Sequence, residues 1–245
     1  MMKKIIFGGL AALLVLVGAV LWWLSGNLDA LIKSSIVKYG SEMTEAKVSV
    51  GSVELKVKDG QAVIRNLHLG NPAGFKTPYA LEVGEIDLLI DMASLTQDVL
   101  VIRKILIKSP DVIYEKGEAM TNFDALQKNI AAHLAAADSG QKAKTKSGDQ
   151  SGKKLIIEEL SLLNVKAEAS APILQGKTLS VDLPDITMRN LGKNKGGLLP
   201  GELGQEIVQA LKSKLSHAIS FDNLTQSVGG ALEKAGEKIK GLFSR

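Results

Sequence analysis

The stretch VELKVKDGQAVIRNLHL (residues 53–69) decides the fold. Val53, Leu55 and Val57 alternate with Glu54, Lys56 and Lys58, the period of a strand with one buried face. Asp59-Gly60 is a hairpin turn signal, and the partner strand runs through Val63, Arg65, Leu67 and Leu69. Beyond it, Gly70-Asn71-Pro72-Ala73-Gly74-Phe75 marks a loop in which Phe75 is placed to plug the end of an apolar layer.

The same pattern continues toward the C-terminus. Ile86, Leu88, Ile90 and Met92 oppose Glu85, Asp87 and Asp91 on a strand from Leu81 to Met92. Gly84 interrupts this alternation and Gly51 the earlier one, which predicts bulges that bend the strands. A turn at Ser94–Asp98 leads to a strand over Val99–Lys108, and Pro110 separates that from Val112–Glu115. Strands resume with Leu155, Ile156, Ile157, Leu160, Leu162 and Val165, then with Leu179, Val181, Leu183, Ile186, Met188 and Leu191. Short strands at this spacing predict an antiparallel sheet.

Helical periodicity appears in four places. Leu28, Leu31, Ile32, Ile36 and Val37 follow Asn27, a capping residue; Asn122 opens a helix whose stripe is Phe123, Leu126, Ile130 and Leu134. After the Gly/Pro-rich stretch 196–201 come Leu203, Ile207, Leu211 and Leu215, then Leu224, Val228, Leu232 and Ile239. The segment 138–154 has no large apolar side chain before Leu155 and reads as a flexible linker.

The N-terminus carries a different signal. Ile5 to Leu24 contains no charge, and about twenty residues at 1.5 Å rise match a hydrocarbon core roughly 30 Å thick. Lys3 and Lys4 precede it and Trp22 and Trp23 close it, an arrangement that predicts a single-pass anchor with a cytoplasmic N-terminus and interfacial indoles. A cleaved signal peptide would need small residues where Val20-Leu21-Trp22-Trp23 stands.

Composition narrows the function classes. The chain has 245 residues, 45% of them hydrophobic, and a formal charge of +4. Lys3 and Lys4 and the lysines of 138–154 account for the excess, so the folded part offers no broad phosphate-binding face and no nucleic-acid partner is expected. With no cysteine, disulfides, thiolate metal sites, thiol nucleophiles and a lipoprotein attachment residue are all excluded. His68, His133 and His217 stand in separate segments without ligand-spaced partners, and neither a Gly-x-Ser-x-Gly nor a phosphate-loop motif occurs. Glu82, Glu85, Asp87 and Asp91 read as a solvated strand face, so no catalytic, metal or cofactor residues are assigned and no enzyme is expected.

An ordered set of motifs carries a family resemblance. Ile64-Arg65-Asn66-Leu67-His68-Leu69-Gly70-Asn71-Pro72-Ala73-Gly74-Phe75, Ala80-Leu81-Glu82-Val83, Ser94-Leu95, Val101-Ile102-Arg103-Lys104-Ile105, Ser109-Pro110-Asp111-Val112 and Tyr114-Glu115 resemble the N-terminal region of AsmA-like proteins. So does the layout of a spanning helix first and Asn122 before a later helix; the similarity covers residues 48 to 134. It implies an inner-membrane tether in a diderm bacterium, a periplasmic curved sheet with an apolar concave face, and a role in outer-membrane assembly or phospholipid movement. Seven or eight strands about 4.8 Å apart reach only roughly 35 Å, too short to bridge an envelope alone.

The expected architecture is therefore α+β: an anchor (1–26), a juxtamembrane helix (27–45), an AsmA-like β-rich domain with its covering helix (46–137), a linker (138–154), the continuing curved antiparallel sheet (155–200) and C-terminal amphipathic helices (201–245). Val53, Leu55, Val57, Leu67, Leu69, Ile86, Leu88, Ile90, Val99, Val101, Ile105 and Ile107 form the candidate lipid-contacting face. As core, each such side chain contributes about 1.5–3 kcal/mol; as a groove, it meets acyl chains at about 0.8 kcal/mol per methylene. Both readings stand on sequence: the first gives a structural or interaction protein with envelope protein partners, the second a module that binds or moves phospholipid of the inner membrane.

Overall fold

The computed structural model describes residues 28–138 and 153–221. The expected anchor with Lys3, Lys4, Trp22 and Trp23, most of the linker and the final helical pattern from Leu224 lie outside the described residues. Among the described residues no helix is long and apolar enough to cross a membrane.

The architecture is α+β. Helix α1 (residues 28–44) precedes strands β1 (Val48–Ser49), β2 (Ser52–Lys56), β3 (Gln61–Leu69), β4 (Leu81–Ile90), β5 (Val99–Lys108) and β6 (Asp111–Glu115). Helix α2 (Asn122–Asp138) follows, then β7 (Lys154–Leu163), β8 (Lys166–Ser170), β9 (Leu179–Asp182), β10 (Ile186–Leu191) and helix α3 (Pro200–Ala218). All ten strands belong to one sheet, ordered β10-β7-β5-β4-β6-β8-β9, with β3 joining β4 to β1 and β2.

The sheet is mixed, which corrects the antiparallel expectation. β5 runs parallel to β7 and β6 parallel to β8, while every other pair is antiparallel. The cause is the connection after β6: its helix returns the chain to the end where β5 began, the crossover that parallel pairing requires.

Ten segments reduce to six physical strands. β1 and β2 face β3 in one register, Val48 opposite Leu69 and Val53 opposite Ile64. Val99 faces Lys154 and Asp111 faces Lys166, so β5–β6 and β7–β8 keep the same offset through their breaks. Ile186 opposite Leu162 and Lys166 opposite Asp182 show the same for β9–β10. The interruptions fall in line: Gly51, Asn66, Gly84, Ser109, Asn164 and Pro184 occupy one row across the whole sheet.

Three members of that row, Asn66, Ser109 and Asn164, have left-handed backbones with φ of 53°, 49° and 52°. A left-handed residue breaks the pleat, so two consecutive side chains turn outward and the inward positions step by three. Hence Ile64 is followed inward by Leu67, Ile107 by Pro110 and Leu162 by Val165. Because all six strands take the extra step together, register survives and the sheet acquires a transverse crease. Val63 and Arg65 thus lie on the opposite side from Leu67 and Leu69, against the simple alternation expected for that strand.

Gly51 is hemmed in at the crease: an added Cβ would sit 3.0 Å from the Asn66 side chain and 3.1 Å from the Arg65 carbonyl, whereas at Gly84 it would meet nothing within 4 Å. Asn66→Gly should therefore leave stability unchanged or raised, and Asn66→Val should cost about 1–2 kcal/mol from the left-handed backbone alone. Denaturant unfolding that ranks Asn66→Val equal to Asn66→Gly would show that the crease is not under this constraint.

Candidate functional site

The apolar side of the sheet is built from rows that cross all six strands. Val53, Ile64, Ile86, Ile107, Leu162 and Ile186 form one row on one side of the crease, and Val48, Leu69, Leu81, Val112, Ala167 and Val181 another beyond it. Of the sequence candidates, Val53, Leu55, Leu67, Leu69, Ile86, Leu88, Ile105 and Ile107 share this side, with Ile90 opposite Ile102 at its margin.

Three candidates are corrected. Val57 lies in a short 3-10 turn (Val57–Asp59) instead of on the strand, since Lys56 already pairs with Gln61 and four residues make the connection. Val99 and Val101 occupy the opposite side of the sheet. A second partial crease, through Arg103, Glu158 and the left-handed Asn190 (φ 54°), reverses the phase of β5, β7 and β10. Inward positions there become Ile102, Ile157 and Leu191, and at β4 the defect resolves as a register shift between Leu89 and Ile90.

Helices α2 and α3 close the centre of this side. Phe123 and Leu126 of α2 and Leu211 and Leu215 of α3 join Val112, Ile157 and Leu160 in one core, where Leu126, Leu215 and Val112 are each 0% exposed. Tyr114 meets Phe123 edge-on at 5.9 Å between ring centroids and Phe221 at 5.2 Å. Lys212 holds α3 to the start of α2 by contacts to Asp124 at 2.6 Å and Gln127 at 3.2 Å. Thr121 and Asp124 cap α2 reciprocally, each accepting from the other's backbone N–H. Away from this centre the cover is uneven: Leu55, Ile64, Leu67, Leu69, Leu81 and Leu88, on β2 to β4, are only partly buried, while Val53, Ala62, Val83 and Ile86 among them are buried.

The opposite side is a lattice of ion pairs. Arg65 bridges Glu54 and Glu85, both at 3.0 Å; His68 meets Glu82 at 2.9 Å, Lys108 meets Asp87 at 3.7 Å and Arg103 meets Asp91 at 3.1 Å. Each carboxylate of the acidic strand face therefore has a basic residue on a neighbouring strand as its partner, and among the described residues no group of three or more acidic or histidine side chains converges on a metal position. Such exposed, solvent-screened pairs fix register more than they stabilise.

One carboxyl on that side is different. Burial and then the nearby Glu168 push Asp111 above the ordinary aspartate range, against a hydrogen bond from Tyr79, whose own phenol burial and Asp111 raise to about 12. Among the described residues Asp111 Oδ1 is buried without a hydrogen-bond partner. A raised folded value means Asp111 favours folding when protonated and loses that contribution as pH climbs through the folded value. Asp111→Asn should thus raise the thermal midpoint at neutral pH, with an advantage that narrows as pH falls toward about 4. A difference between the two chains that does not vary with pH would refute this assignment.

The sequence reading missed a buried polar pin. Glu115, only 4% exposed, accepts hydrogen bonds from the Lys76 N–H (2.8 Å), the Thr77 N–H (2.8 Å) and the Thr77 hydroxyl (2.6 Å). Asn122 accepts from the Glu115 N–H at 3.0 Å and donates to Asn71 and to the Ile113 carbonyl, and Asn71 donates to Thr77. This fastens the 70–80 loop to the end of β6 and the start of α2. The available signal was an acid closing the otherwise apolar run Val112-Ile113-Tyr114. Phe75 of the loop packs against Gly117, at the edge of the structure instead of in the core cluster. Glu115→Gln would turn an amide N–H₂ toward one of these donors and should cost about 1–3 kcal/mol in chemical denaturation; an unchanged midpoint would mean the loop is held by other contacts.

Comparison of the chain with protein-family models, with curated proteins and with solved structures finds no match.

Proposed function

We propose that this chain is a membrane-tethered, non-enzymatic, AsmA-like module of the bacterial envelope that takes up phospholipid along the flank of its apolar sheet side. On this reading it hangs from the inner membrane by one N-terminal span, with its N-terminus in the cytoplasm and its sheet in the periplasm. Its ligand is a lipid of that membrane, and it serves lipid transport or outer-membrane assembly.

The observation that carries the reading is the partly buried aliphatic band Leu55, Ile64, Leu67, Leu69, Leu81 and Leu88, beside a core that the helices already close. An acyl chain laid there adds about 0.8 kcal/mol per buried methylene and displaces no side chain from the closed centre. The crease supports the same reading, since rows of phase breaks curve a sheet toward a groove. A second reading, an interaction protein that binds an envelope partner through this band, is favoured by how completely α2 and α3 cover the central strands.

Site-specific photocrosslinking of the full chain in cells separates them. A benzophenone residue at Leu67 or Leu88 should give adducts with radiolabelled phospholipid, while the same probe at Glu85 or Asp87 on the ion-paired side should not. Protein adducts without lipid at both apolar positions would reject lipid uptake in favour of the interaction reading.

A further inference from the structure

The structure describes one end of the sheet that is both greasy and basic, and the direction of α1 says what it faces. Lys33 donates to the Gly51 carbonyl at 2.7 Å, Ser41 accepts from the Val48 N–H at 3.0 Å, and Gly40 lies against Val48. Followed backward from residue 44 to 28, α1 therefore runs alongside β1 and β2 in the direction of Lys56. Its first described turn points toward the end of the sheet that carries the 57–60 turn, the 91–98 turn and the start of β7.

The 91–98 turn is unusual for a connection between strands. Asp91 accepts from the Ala93 N–H and from Arg103, Ser94 donates to the Asp91 carbonyl at 2.6 Å and accepts from the Val101 N–H at 2.9 Å, and Lys153 donates to the Leu95 carbonyl. Every polar group of the buried Ser94 side chain is thus used to hold a short 3-10 helix (Met92–Thr96) that presents Met92 and Leu95 outward. They are 36% and 38% exposed, Met92 leaning on Gly60, and Leu89 on the ion-paired side of β4 is also 38% exposed; of the seven large apolar side chains exposed among the described residues, these three fall within one seven-residue segment. Lys56, Lys58, Lys153, Lys154 and Lys193 are exposed around the same end, against Asp59 and Asp98.

The geometry points to this end as a second membrane contact: the Met92–Leu95 wedge enters the interfacial region of the bilayer that holds the anchor, and the surrounding lysines bind anionic phospholipid headgroups. A hydrogen-bonded turn that exposes aliphatic side chains at a lysine-rich end of the sheet has the composition of an interfacial insertion site. Each lysine near an anionic surface adds attraction that salt screens. The contact fixes the tilt of the sheet relative to the membrane, so that the aliphatic band on β2 to β4 starts at the lipid surface. This inference rests on the anchored reading above but not on lipid uptake by the band.

The chain has no cysteine, so single-cysteine labelling needs no background substitutions. Full-length chain carrying Met92→Cys or Leu95→Cys, labelled with an environment-sensitive fluorophore, would be reconstituted into phosphatidylglycerol-containing vesicles with brominated acyl chains, beside Ala73→Cys and Glu118→Cys at the far end. The inference expects a blue shift and bromine quenching at 92 and 95 and not at 73 and 118, with the quenching reduced in purely zwitterionic vesicles or when Lys56, Lys58, Lys153 and Lys154 are all changed to Gln. Water-like emission at 92 and 95 in a chain that resists alkaline extraction overturns the wedge while leaving the anchor standing. A chain released by alkali instead removes the anchored reading, and this inference falls with it.

Discussion

The structure depends on a constraint shared by six residues that are far apart in sequence: Gly51, Asn66, Gly84, Ser109, Asn164 and Pro184 must lie on one line across the sheet. A single left-handed residue in a strand would shift the inward set of that strand alone and pit its apolar side chains against its neighbours' charged ones. When every strand takes the extra residue at the same row, the conflict vanishes and apolar rows continue on both sides of the break. The residue types largely follow from position: Asn tolerates the left-handed backbone, Gly51 leaves room for the Asn66 side chain, and Pro184 sits on an edge strand, where its missing N–H costs no ladder bond.

This constraint explains which parts of the fold were legible. Strand existence was readable almost throughout, since local alternation between Val53 and Lys56 or between Leu179 and Asp182 is a property of a few adjacent residues. The phase on either side of a break was not, because Asn66 and Arg103 look like any polar residue on a strand and only the partners reveal that the period skips. Val99 and Val101 were placed on the wrong side for that reason. Parallel pairing of β5 with β7 was equally hidden, for it depends on where α2 delivers the chain and not on the composition of either strand.

The candidate face divides along the same physical line. Residues near the centre, such as Ile86 and Ile105, are covered because α2 and α3 bring Phe123, Leu126, Leu211 and Leu215 onto the strands beside them. Toward β2 and β3 coverage is uneven: Val48, Val53 and Ala62 are buried while Leu55, Ile64, Leu67 and Leu69 are only partly so, and α1 meets this edge at Gly40, Ser41 and Lys33 among other positions. Amphipathic spacing told which helices have an apolar stripe, but which strands those stripes reach is decided by α2–α3 packing, including the Lys212–Asp124 contact. Burial tends to raise the Asp124 carboxyl, yet hydrogen bonds from Lys212 and Thr121 outweigh it and hold the group below its usual range. That ion pair therefore works for the folded state at neutral pH and fades as pH falls through the lowered value.

The two ends of the sheet are held by different chemistry, and the difference bears on function. At the far end Glu115 and Asn122 lock the 70–80 loop with buried, satisfied hydrogen bonds, a solution that resists insertion of anything else. At the end toward which α1 points, Ser94 uses its hydrogen bonds to hold aliphatic side chains outward, where water gains nothing from meeting them. On the proposed reading the bilayer supplies the apolar phase that Met92 and Leu95 meet at that end.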